Sequence, residues 1–148
     1  MLKRYLPFIL IVTVVVACSK DKLQSKPSLK IKGLNTSEVA PGQNLEIKLT
    51  YEDKEGDLGT GMITYIRNRL NAKPIPDAAS NDKADTITSV LPDFPKTSSG
   101  EIDIIIVNGF LSEDPFDNDT MNFKIFVTDV SGNVSDTVIT DKIVEIQN

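Results

Sequence analysis

The feature that most narrows the folds open to this chain is a hydrophobic period of two. Leu29, Ile31 and Gly33 alternate with Lys30 and Lys32, and Leu45, Ile47, Leu49 and Tyr51 alternate with Glu46, Lys48 and Thr50. Phe123, Ile125 and Val127 alternate in the same way with Lys124 and Thr128. Successive side chains of a β-strand point to opposite faces, so each segment presents one dry face and one wet face. Further strands are expected at Met62 to Leu70, Thr86 to Leu91, Ile102 to Val107 and Val134 to Ile146, the last long enough to bend around Thr140 to Lys142. Between them lie Ala40-Pro41-Gly42, Glu55-Gly56-Asp57, Ser98-Ser99-Gly100 and Ser131-Gly132-Asn133, which tolerate positive φ or preset a turn. No long amphipathic helical pattern interrupts the series.

About seven short strands predict an all-β domain over residues 28–148, an immunoglobulin-like antiparallel β-sandwich. A jelly roll or partly open barrel is the alternative. With one cysteine and no tryptophan, the sandwich has neither the disulfide nor the buried Trp of antibody domains, so the expectation rests on alternation and strand count.

The N-terminus has a different character. Met-Leu-Lys-Arg is followed by Tyr5 to Ala17, uncharged and dominated by Ile, Val and Leu. This is the order of a secretory signal peptide, and the apolar run is shorter than the roughly 20 residues a permanent helical span needs. It ends in Val15-Val16-Ala17-Cys18, which resembles the lipobox of bacterial lipoproteins. The expected organisation is a signal peptide at 1–17, a lipidated cysteine and polar tether at 18–27, and the folded domain beyond. The competing reading makes Cys18 a buried or free thiol, or half of an intermolecular disulfide. One acyl chain anchors weakly, at roughly 0.8 kcal/mol per buried CH₂, whereas two or more anchor stably. Loss of residues 1–17 removes Lys3 and Arg4 and moves the net charge from −5 to −7. So acidic a domain disfavours nucleic acid, which rewards clustered Lys and Arg, and gains nothing from anionic lipid.

The inventory restricts the chemistry. There is no histidine, and the one cysteine is the expected lipid site. Nucleophilic triads with a histidine base and zinc sites built from His and Cys are thereby excluded. The glycines are scattered at turns rather than gathered in a phosphate loop. Paired carboxylates can hydrolyse glycosides, but one short sandwich is poorly sized to build the cleft, and no enzyme is expected. The densest polar stretch is Tyr51 to Gly59, where Asp53, Glu55 and Asp57 follow one another at spacing two. Hard oxygen ligands on a Gly-containing turn suit calcium, although the spacing is not that of an EF-hand. In a sandwich, the loop holding Asp129 and Asn133 falls at the same end, which makes Asp53, Glu55, Asp57 and Asp129 the candidate metal ligands. The alternative is that these side chains cap turn N–H groups. Apart from calcium, no cofactor is expected.

Two connections are long. Asn71 to Asp85 is polar, whereas Asn108 to Met121 mixes Phe110, Leu111 and Phe116 with acids. Apolar loop residues either pack beneath the loop or face a partner, so these three are the candidate partner contacts. The oxygens of Asp114 to Asp119 are expected to be solvated.

Together, Val15 to Cys18, the strand and loop Tyr51 to Gly59, and the closing pattern Phe126-Val127-Thr128-Asp129 through Gly132-Asn133-Val134-Ser135 and Thr137-Val138 resemble small lipoproteins of Bacteroidetes-type bacteria carrying one immunoglobulin-like or cadherin-like sandwich. The resemblance covers about a third of the chain. It implies an outer-membrane lipoprotein acting as a binding or accessory module for a protein or glycan, or else a structural or adhesion spacer stiffened by calcium. Ser19-Lys20-Asp21-Lys22 sets one acid between two bases and leaves the periplasmic and surface faces both open.

Overall fold

A computed structural model describes residues 26–76 and 85–147. The expected signal peptide, Cys18, the tether up to residue 25 and part of the Asn71 to Asp85 connection lie outside the described residues. The chain forms β1 (Ser28–Leu34), β2 (Glu38–Val39), β3 (Leu45–Glu52), β4 (Met62–Arg69), β5 (Thr86–Val90) and β6 (Ser99–Ile106). One helical turn, α1 (Asn108–Leu111), leads into β7 (Asp119–Thr128), β8 (Val138–Ile139) and β9 (Ile143–Glu145). One sheet has the order β1-β3-β6; the other has β2-β9-β7-β4-β5, with β8 also pairing with β7. The two pack as a sandwich and do not close into a barrel. Among the described residues no helix is long and apolar enough to cross a membrane.

Two details differ from the expectation. Among the described residues there are nine strands rather than seven, because two-residue β2 is too short to show a period and the final strand divides into β8 and β9. The division falls at Thr140, where the bend was anticipated; its N–H donates to Phe123 O at 3.0 Å and its hydroxyl accepts from Phe123 N at 3.0 Å. The sandwich is also not wholly antiparallel, since β2 runs parallel to β9, with Glu38 opposite Val144.

Period two builds the core. Leu45, Ile47, Leu49 and Tyr51 of β3 face Ile63 and Tyr65 of β4 and Met121, Phe123, Ile125 and Val127 of β7, all buried. Burying such a side chain is worth roughly 1.5–3 kcal/mol. Lys32, Lys48, Glu101 and Asp103 stand on the wet face of the smaller sheet, where Lys32 pairs with Glu101 and Lys48 with Asp103. Exposed pairs of this kind stabilise little.

The strand directions define two ends. Ser28 lies opposite Glu52, and Met62 lies opposite Thr128. The near end, where the described chain starts, therefore carries the β3–β4 loop and the loop after β7. Arg69 pairs with Met121 at the far end, beside α1 and the Asp114 to Asp119 segment.

Candidate functional site

The two near-end loops are built alike. Asp53-Lys54-Glu55-Gly56-Asp57 and Asp129-Val130-Ser131-Gly132-Asn133 each begin with Asp, place Gly three residues on, and end with Asp or Asn. In each turn the Gly N–H donates to the leading Asp carbonyl, at 3.1 Å in both cases. Gly56 and Gly132 take φ values of 66° and 88°, in the left-handed region where a Cβ is disfavoured. The leading carboxylate then accepts the N–H four residues on: Asp57 N donates to Asp53 Oδ2 at 2.8 Å, and Asn133 N donates to Asp129 Oδ1 at 2.8 Å. Strand order already set the two stretches at one end of the sandwich; the shared Asp-X-X-Gly-Asx pattern is the signal that sequence reading missed.

The loops lock together where Val130 N donates to Asp57 O at 3.3 Å and Ser131 Oγ donates to Asp57 Oδ2 at 2.7 Å. As a result one carboxylate oxygen from each of Asp53, Asp57 and Asp129 lies within 4.8 Å of the other two. Three of the four expected ligands are thus brought together. Glu55 is the exception: it stands exposed at the turn apex, outside the cluster, and its backbone N–H rather than its carboxylate serves Asp53. Asn133 turns its amide onto Asp129 Oδ2 at 2.8 Å.

Capping therefore accounts for only part of these oxygens. Asp53 is 1% exposed, yet its Oδ1 has no hydrogen-bond partner, and neither does Asp57 Oδ1. Burial pushes the Asp53 carboxyl above its ordinary value of 3.8, and the neighbouring charges of Asp57 and Asp129 push the same way, against the pull of the Asp57 and Glu55 N–H groups. A shallow pocket between Gly56, Asp57, Phe94, Lys96 and Val130 opens beside the cluster.

The far end carries a second polar assembly that sequence reading missed. Arg67, 2% exposed, donates to Asp85 Oδ1 at 3.0 Å, to Glu113 and to the carbonyl of Phe110, and its guanidinium lies 4.7 Å from the Phe110 ring centroid. Arg69 Nε donates to Asp119 Oδ1 at 2.8 Å. Asp119 Oδ2 accepts the N–H groups of Glu113 and Asp114 at 2.5 and 2.7 Å. Asp114 Oδ1 accepts those of Phe116 and Asp117 at 2.9 and 3.2 Å. Asp114 and Asp119 are fully buried, which corrects the expectation of solvated oxygens for these two, the internal frame of the loop, while Asp117 and Asn118 are exposed as expected.

That frame decides the three candidate partner contacts. Leu111 is fully buried, and Phe110 packs edge-on to Tyr65 at 6.1 Å and stacks on Phe123 at 6.5 Å. Leu111 is taken by the core, whereas Phe110 packs against the core and stays partly exposed. Phe116, 77% exposed, is held out on the loop.

Two sheets packed over a filled apolar core, with polar side chains gathered at the loop ends, define an all-β sandwich domain. No family model matches the chain. No curated protein does either. It is similar in structure to a β-glucosidase from Listeria innocua at 12% identity and a TM-score of 0.44, covering 81% of this chain and 16% of that one. BcpA, the major pilin subunit of Bacillus cereus, is similar at 13% identity and a TM-score of 0.40, covering 83% of this chain and 41% of the pilin. A cohesin module from a Clostridium perfringens family 33 glycoside hydrolase is similar at 12% identity and a TM-score of 0.34, covering 83% of this chain and 98% of the module.

Proposed function

We propose that the chain is a lipid-anchored, non-enzymatic lipoprotein of the outer membrane, held by acyl groups on Cys18 and presenting its sandwich to a protein or glycan partner. The observation that carries this reading is the polarity of the domain: the described chain starts at the near end, and exposed Phe116 stands at the far end. A tether between Cys18 and Ser28 would reach up to roughly 30 Å when extended, and attachment at the near end leaves the Phe116 loop at the end of the domain remote from that attachment. The Val15 to Cys18 lipobox and the likeness to Bacteroidetes-type lipoproteins support the anchor. The absence of histidine supports a binding role over catalysis.

Fractionating cells that express Cys18→Ala tests the anchor. The variant is expected in the soluble fraction, and its retention in the membrane would overturn the reading. Capture of a partner by the soluble form, lost in Phe116→Ser, tests the presented surface. The near-end carboxylate cluster favours a second reading, a structural or adhesion spacer stiffened by calcium. For that role deletion would weaken the envelope while no specific ligand is captured.

A further inference from the structure

We propose that Asp53, Asp57 and Asp129 hold one Ca²⁺ that ties the β3–β4 loop to the loop after β7. Oxygens bonded to the same Ca²⁺ at about 2.3–2.6 Å can stand no more than about 5 Å apart, and one oxygen from each of the three carboxylates meets that condition, all lying within 4.8 Å of one another. A second observation is independent of their number. Asp53 is almost wholly buried with Oδ1 unpartnered, and Asp57 Oδ1 is unpartnered beside it. Buried acceptors are ordinarily satisfied, and a charged one left without a donor is costly.

The far end supplies the comparison within the same molecule. There, Glu113, Asp114 and Asp119 are buried beside Arg67, also buried, and half-buried Arg69, whose cationic groups lie within 4.0 Å of them. At the near end, no ion pair among the described residues reaches Asp53, Asp57 or Asp129. The fold sets guanidinium groups against the buried acids at one end, while at the other, among the described residues, no cationic group lies within 4.0 Å of the three aspartates.

The donor set selects the metal. All the ligands are hard oxygens, and the chain has no histidine to favour a transition metal. Asp57 is only half-buried, which leaves room for water to complete a shell of about six to eight oxygens. Mg²⁺ demands stricter octahedral geometry and dehydrates reluctantly. Each loop is closed by its own Gly turn and backbone hydrogen bonds. The site does not depend on the lipid anchor.

The test is calorimetric titration of the full chain, stripped of metal by chelator and purified in detergent, with thermal unfolding in Ca²⁺, in Mg²⁺ and in EDTA. The expected result is one Ca²⁺ per chain and a melting temperature that rises with its concentration. Asp57→Asn should weaken binding about tenfold or more, while Glu55→Gln binds as the native chain does. Native protein that takes up no Ca²⁺ and melts identically in Ca²⁺ and EDTA overturns the proposal. So does Mg²⁺ binding as tight as that of Ca²⁺, or a folded Asp57→Asn with unchanged affinity.

Discussion

Glu113 is 6% exposed beside Arg67, and burial raises its carboxyl above the ordinary value of 4.5 despite the lowering pull of Arg67; the charges of Asp85 and Asp119 raise it further. A carboxyl raised on folding contributes stability that is fully present below its unfolded pKa and is lost as pH rises through the folded one. Glu113→Gln, uncharged throughout, should therefore gain stability relative to the native chain as pH climbs from 4.5 toward neutrality. Urea denaturation of both at several pH values checks this, and parallel curves would contradict it. The guanidinium beside it was half-legible. Ile63, Tyr65, Arg67 and Arg69 share one face of β4, so period two already set Arg67 on the dry side. What periodicity does not carry is the partner: the acids that neutralise it, Asp85 and Glu113, arrive 18 and 46 residues later in the chain, in connections whose composition reads as polar. The near-end acids were more legible because local turn chemistry brings Asp53 and Asp57 together, and strand order alone sets Asp129 against them.

At the scale of loops and strands, Gly61 is the tightest joint. A Cβ there would lie 2.4 Å from Thr128 O and 2.8 Å from Leu58 O, so the β3–β4 loop can lie against the end of β7 only because this residue has no side chain. Its N–H donates to Leu58 O at 2.9 Å, and its carbonyl accepts Leu91 N at 2.8 Å, leaving neither side free to retreat. Gly61→Ala should cost about 1–3 kcal/mol, as overpacking does. Gly33→Ala, with nothing within 4 Å, should stay within about 0.5 kcal/mol; thermal melts of the two variants make the comparison. Long strands were legible in the sequence because each carries several turns of its own alternation. β2, with two residues, and α1, with four, carry less than one full pattern. Tertiary contacts determine them: β2 by Val144 N donating to Ser37 O at 2.9 Å, and α1 by Leu111 and Phe110 entering the core.

For the whole molecule, the direction of β1 matters most under the proposed anchoring. Its start, Ser28, is the point nearest the tether, and it runs along β3 from the pair Ser28–Glu52 to the pair Leu34–Ile47. Ladder hydrogen bonds lie across the strands. A partner pulling on the Phe116 tip against an anchored N-terminus would draw β1 lengthwise past β3 and load those bonds side by side. Pulling on Ser28 and Glu52, which face each other at one end, would instead open the ladder one bond at a time. Single-molecule stretching between residue 28 and the far end should accordingly reach a higher rupture force than stretching between Ser28 and Glu52, and equal forces would contradict the geometry. An outer-membrane domain tethered in this orientation would meet flow or tension in shear, the loading direction in which a small disulfide-free sandwich is mechanically strongest.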